Sequence, residues 1–212
     1  MGDAVKARRL PRVVRERQMV DAAVRCFARQ GYQAASMDEI AELAGVSKPL
    51  VYLYLGSKEE LFTACIRREA GALLGAVAAG VEGAELPPDE RLWAGLLAFF
   101  TYAAEHPDAW VVLSLRARTQ GEPFAGELAR MRDEVVGFVA GLIGEAAREA
   151  GGVVTGRDVD ALAQALAGSA ESLATWANAT PGVTAKEAAA TLMNFAWAGL
   201  GNLMKSERWS PR

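Results

Sequence analysis

Apolar positions along this chain recur at spacings of three and four, and strand-type alternation never lasts more than a few residues. That period predicts helices, punctuated by glycine, proline and small polar residues. The first helix spans about Val13 to Gln30, with Val20, Ala23, Val24 and Phe27 on one face and Gly31 at its end. The stretch SMDEIAELAGVSKPLVYLYLGSKEELF, residues 36–62, then reads as three helices joined by tight turns. Ser36 with Glu39 has the spacing of a capping box, which would satisfy two orphan N–H groups reciprocally. Met37, Ile40, Ala41 and Ala44 share a face of the helix it opens, and Gly45 is suited to end it in the left-handed region. Ser47 stands at the next N-cap, with Lys48 and Pro49 in the first turn that follows. Gly56 breaks this second helix after Leu55, and Ser57 with Glu60 forms a second capping box. The helix opened there continues to about Val81, a length of roughly 35 Å.

Beyond the loop EGAELPPD, residues 82–89, five more helices are expected. They cover Asp89–Glu105, Pro107–Arg118, Pro123–Ala150, Arg157–Thr180 and Thr184–Glu207, with Asp158 and Thr184 as candidate caps of the last two. There is no internal repeat. The expected fold class is all-α. A three-helix N-terminal head would be joined by a long helix to a helical-bundle body.

Two short helices joined by Gly45, Val46 and Ser47 form a helix-turn-helix candidate. A plain helical hairpin has the same spacings. Ile40, Ala44, Val51 and Tyr54 can close a small core beneath it. The opposite face of the second helix presents Lys48, Pro49, Leu50 and Tyr52, and a short helix so presented fits the major groove of DNA.

These residues carry a resemblance. From about Arg12 to Phe62 the chain resembles the DNA-binding domain of the TetR family of bacterial transcriptional regulators. The matching features are the first helix ending in Phe27 and Gly31-Tyr32, the turn Ala44-Gly45-Val46-Ser47, Tyr52 in the second short helix, and Ser57-Lys58-Glu59. Beyond Phe62 only the layout is similar. Residues 1–11 read as a flexible basic arm, and the resemblance implies a DNA-binding head at 12–62 and a ligand-binding and dimerisation body at 63–212. It also implies that Ser36 and Lys58 touch phosphates. Lys48 would meet phosphate or a base edge, and Tyr52 phosphate or a thymine methyl. Ser47 would cap the helix and approach phosphate. Hydroxyls, helix N-termini and lysines are the usual phosphate binders.

The chain departs from the family after the tyrosine. Many members carry Arg-His-Phe there, and this chain has Leu53, Tyr54 and Leu55. Pro49 and Leu50 donate nothing to a guanine. Specificity is therefore expected to lean on apolar contacts to thymine and on DNA shape.

The body is rich in aromatics between Asp89 and Arg118. Core packing accounts for such residues, and some can also wall a cavity. The resemblance implies an effector pocket in this region, since small-molecule sites are mostly apolar with few polar anchors. The wall candidates are Trp93, Phe100, Trp110, Leu113, Phe138 and Trp176. The candidate anchors are Arg116, Gln164 and Asn178. Ala161, Ala165, Gly168 and Ser172 line one face of the penultimate helix, and Ala188, Leu192, Phe195, Gly199 and Leu203 one face of the last. Such faces pack within one chain or between two. The resemblance implies a homodimer through these two helices, reading a palindromic operator in double-stranded DNA.

Composition changes the picture in three ways. Hydrophobic residues make up 51% of the chain and charged ones 23%, which supports a packed core rather than disorder. The net charge of −3 divides unevenly: residues 1–68 carry a net +4 and the rest a net −7. A basic head on an acidic body fits a head that meets phosphate. Arg8, Arg9 and Arg12 precede the first helix, where they either reach DNA or form a solvated tail. Cys26 and Cys65 lie on apolar helical patterns without a CxxC motif and read as buried thiols. No signal segment is visible, and the apolar run Ala70–Val81 is too short to span a membrane. A cytoplasmic protein is expected.

Catalytic signatures are missing from the sequence. The single histidine, His106, precedes a proline at a helix end. There is no phosphate-binding loop, dinucleotide fingerprint or metal-ligand spacing. Neither enzymatic activity, cofactor nor metal is expected. The combined expectation is a dimeric transcriptional regulator, most simply a repressor, modulated by a small apolar effector. An effector-independent architectural DNA-binding protein is the other reading, and it would show a small specificity ratio.

Overall fold

The computed structural model describes residues 11–82, 86–114, 124–149 and 155–204. Among them the chain is helical throughout, in the order α1 (Arg12–Ala34), α2 (Met37–Leu43), α3 (Lys48–Leu55), α4 (Lys58–Val81), α5 (Pro88–Glu105), α6 (Pro107–Leu113), α7 (Phe124–Glu149), α8 (Gly156–Ala179) and α9 (Ala185–Met204). None of these helices is long and apolar enough to cross a membrane. Residues 1–10 of the expected arm, with Arg8 and Arg9, and the pocket candidate Arg116 lie outside the described residues.

Helices α1 to α3 pack together with the start of α4. Val20, Ala23, Val24 and Phe27 are buried, as the spacing of α1 predicts, together with Met19 and Cys26. Ile40 and Val51 are fully buried between α2 and α3, whereas Ala44 and Tyr54 are only half-buried. Glycines set the turns: Gly45 (φ 65°) and Gly56 (φ 69°) adopt a hand that costs other residues. Gly31 (φ 77°, ψ 169°) breaks the regular helix where the sequence predicts its end, and one further turn follows across the kink to Ala34.

The capping sites differ in part from expectation. Ser57 accepts from the Glu60 N–H at 3.1 Å, and Glu60 accepts from the Ser57 N–H at 2.7 Å, a complete box. Ser36 caps α2 by accepting from the Asp38 N–H at 3.1 Å, but Glu39 does not return the bond. Its carboxylate is taken by Gln30 of α1 at 2.6 and 2.8 Å. Ser47 occupies the N-cap of α3 without a side-chain cap bond. Thr155, not Asp158, is the N-cap of α8, with Asp158 as its partner three residues on. Thr184 and Glu187 close the corresponding box before α9. Helix α6 stops at Leu113, short of the expected Arg118, because Ser114 is extended (ψ 175°) and turns its hydroxyl back to the Val111 carbonyl at 3.1 Å.

The body is a bundle in which α5 packs on α4 and α9, α7 packs on α8, and α8 packs on α9. At the α4–α5 crossing a Cβ on Gly80 would lie 2.9 Å from the Ala98 methyl, so only glycine permits that approach. Head and body share one continuous core. Helix α6 packs against α1, and Phe124 at the start of α7 sits among Tyr32 and Phe62, 1% exposed.

The small-residue faces divide. Ala161, Ala165 and Ser172 of α8 are exposed and Gly168 is half-buried. On α9, Ala188 and Leu192 turn into the core, while Phe195, on the same side of the helix one turn further along, is 73% exposed. The side chains of Gly199 and Leu203 lie outside the described residues.

Candidate DNA-reading surface and effector cavity

Helix α3 is held by one side only. Val51 is fully buried against α1 and α2, and the face opposite it is open. Pro49, Tyr52 and Leu53 are exposed and Leu50 is half-buried. Lys48, at the N-terminus of this helix, donates to Asp38 of α2 at 2.8 Å, which raises its pKa. Lys58 does not point freely outward: its Nζ donates to the Gln33 carbonyl at 3.1 Å and lies 4.7 Å from the centre of the Tyr32 ring. Ser36 and Ser47 sit at the N-termini of α2 and α3, where unpaired N–H groups favour an anion. The seven sequence candidates thus lie on α2, α3 and the start of α4. Leu53, 76% exposed, lies on the same open face of α3, and the sequence marks it only as a departure from the family pattern. Its helical phase relative to Val51 was the available signal.

The body contains a cavity of about 130 Å³ between the second half of α4 and helices α5, α6, α7 and α8, with Trp197 of α9 at its wall. Trp110, Leu113 and Phe138 line it, as do Leu92, Phe99 and Met131, which sequence reading did not single out. Its charged lining residues are Arg91, Arg132 and Glu171. Arg91 holds Glu149 at 2.7 Å, and Arg132 approaches Glu171 at 3.4 Å.

Five sequence candidates stand elsewhere. Phe100 is buried in the core and Trp93 is half-buried against it, beside Phe99 and Leu92 respectively, one residue and therefore about 100° around α5 from the cavity wall. Trp176 is 53% exposed, on the side of α8 away from its buried Ala170, Ala174 and Ala177. Asn178 donates to the Ala103 carbonyl at 2.8 Å and so ties α8 to α5. Gln164 is exposed and accepts from Arg132.

A polar cluster joins the two regions. Glu69 of α4 is 6% exposed, an uncommon place for a carboxylate. It accepts from the Tyr102 hydroxyl of α5 at 3.0 Å and from Arg68 Nε at 2.8 Å. Arg68 also reaches Asp21 of α1 at 2.6 Å. The cluster therefore links α1, α4 and α5. Burial first, and then the Glu69 charge, push the Tyr102 hydroxyl well above its ordinary pKa.

Comparison with known proteins decides the family. Residues 19–65 match the family model of bacterial regulatory proteins of the tetR family, and residues 88–199 match a tetracyclin repressor-like C-terminal domain. The chain belongs to the TetR family. It is a helix-turn-helix transcriptional regulator, as its relatives are. It is 30% identical to the HTH-type transcriptional activator FasR of Mycolicibacterium smegmatis over 203 residues, covering 93% of this chain and 88% of that one. A TetR-like transcriptional regulator from Rhodococcus sp. RHA1 is 38% identical, with a TM-score of 0.77 over 91% of this chain and 99% of that one. FadR of Bacillus subtilis, solved in complex with stearoyl-CoA, shares the fold at 20% identity, with a TM-score of 0.76 over 86% of this chain and 98% of that one. In this TetR-family chain the N-terminal match spans α2 and α3, and the C-terminal match spans α5 to α8, which carry most of the cavity wall.

Proposed function

We propose that this regulator binds a palindromic operator as a homodimer and that an elongated, mostly apolar molecule in the body cavity alters that binding. The cavity is the observation that carries the proposal: it is apolar apart from Arg91, Arg132 and Glu171, and α4 forms both part of its wall and the support of the head. Ser36, Ser47, Lys48, Pro49, Leu50, Tyr52 and Lys58 form the DNA-facing surface in this reading. Trp110, Leu113 and Phe138 contact the effector.

Size supplies the coupling. About 130 Å³ is close to the room that holds one benzene-sized molecule. In this reading a longer chain is accommodated by movement of the surrounding helices apart. It therefore binds the widened state better, and that difference in affinity is what shifts an equilibrium. The stearoyl-CoA in the FadR complex makes acyl thioesters the first class to try. The exposed Ala161, Ala165, Ser172 and Trp176 of α8, with Phe195 of α9, supply an uncovered face for the second subunit. The matching relative FasR is named an activator, so the sign of regulation is not carried over from the sequence reading. A dimer over a promoter excludes polymerase, and one beside it can support polymerase.

The test is release of operator DNA by fatty acyl thioesters of increasing chain length, followed by anisotropy, with intrinsic tryptophan fluorescence read in parallel in the wild type and in Trp110→Phe. Saturable release with a quenching that Trp110→Phe diminishes supports the proposal. Operator binding that no thioester or free fatty acid changes would contradict the effector class.

A further inference from the structure

We infer that Leu53, together with Pro49, reads thymine methyl groups in the major groove. This rests on the reading of the head as the DNA-binding part. A single exposed leucine on a protein surface is ordinary. Leu53 is different because of where it stands. Val51 is the fully buried residue of α3, and Pro49 and Leu53 each lie two residues from it, about 160° away around the helix. They form the apex of the element that a helix-turn-helix places in the groove.

The rest of α3 supplies little polar readout. Its sequence, KPLVYLYL, contains no Arg, Asn, Gln, Asp or Glu. Bidentate recognition of guanine takes Arg or Lys, and of adenine Asn or Gln. The one cation, Lys48, is held by Asp38 at 2.8 Å, beside the N-terminus rather than at the apex. Tyr54 is half-buried, with the Arg12 guanidinium 5.3 Å from its ring centre. The group on a base edge that an apolar apex can recognise is the thymine C5-methyl. Tyr52, 46% exposed, flanks the apex.

The test begins with selection of an operator from random double-stranded DNA by the full chain. Each thymine beneath α3 is then replaced by deoxyuridine, which removes the methyl and leaves base pairing intact. The wild-type protein should lose roughly three- to tenfold in affinity at one position or more in each half-site. Leu53→Ala should bind the parent operator weaker by a similar factor and be indifferent to deoxyuridine at that same position. The side chain is exposed, so folding should be retained, and circular dichroism checks that it is. Indifference of the wild type to every methyl, or full methyl dependence in Leu53→Ala, would overturn the assignment. Failure to select any sequence would instead remove the DNA-reading account on which it rests.

Discussion

The ring of Phe124 meets the ring of Tyr32 edge to face, with 4.4 Å between their centres. Phe124 is the first residue of α7, whose later turns wall the cavity, and Tyr32 closes the end of α1. Phe62 completes the contact at 4.7 Å from Phe124. The cavity wall and the head thus share a buried aromatic cluster.

Phe124→Ala should therefore destabilise the whole chain, by about 3–5 kcal/mol, through lost burial and the void left behind. Chemical denaturation should show one transition for head and body together, shifted to lower midpoint. Two separated transitions in the wild type would contradict the shared core.

The Glu69 cluster predicts a second loss. Tyr102→Phe leaves a nearly buried carboxylate with one donor fewer, which should cost about 1–3 kcal/mol. Replacing Glu69 by leucine as well should recover part of that cost, because no acceptor is then left unpaired. Additive losses in a double-mutant cycle would show that the two groups do not interact.

Arg67 holds Glu127 at 2.8 Å between α4 and α7, and this hydrogen bond keeps the Glu127 carboxyl below its ordinary pKa. A carboxylate with a lowered folded pKa contributes stability above its unfolded pKa and loses it as the pH falls through the folded one. Glu127→Gln should thus be less stable than wild type near neutrality, by a few tenths to about 1 kcal/mol since Arg67 is well exposed. The gap should close in acid. A gap that stays constant with pH would mean that the ion pair is not its source.

Burial pushes the Cys65 thiol up to about 12, and it also raises Cys26. Both should stay protonated and unreactive toward thiol reagents at neutral pH. Labelling should occur only as denaturant opens the head. Rapid labelling of the native protein would show that the α1–α4 packing is looser than described.

Much of this fold is legible in the sequence because its signals are local. Gly45, Gly56 and the Ser57–Glu60 box fix turns within four residues of themselves, and the four core positions of α1 follow from one period. The cavity was harder to read. An aromatic residue on an amphipathic helix can face a cavity, the core or a partner, and distant packing decides. Trp110 faces the cavity, Phe100 the core and Trp176 the outside. The charged lining was hidden for the same reason: Arg91 is placed by Glu149, 58 residues away. Glu69 gives no local sign of burial, since its Tyr102 partner lies 33 residues on. Leu53 was visible as a departure from the family pattern, and its exposure needed the orientation of α3.

The most direct measurement is fluorescence anisotropy of the full chain with its selected operator, against scrambled DNA of equal length, at two salt concentrations and with and without an acyl thioester. The account predicts a preference for the operator of at least roughly a thousandfold, and release on adding the thioester. Weak binding that is equal for both DNAs, abolished by salt and blind to the ligand would contradict it.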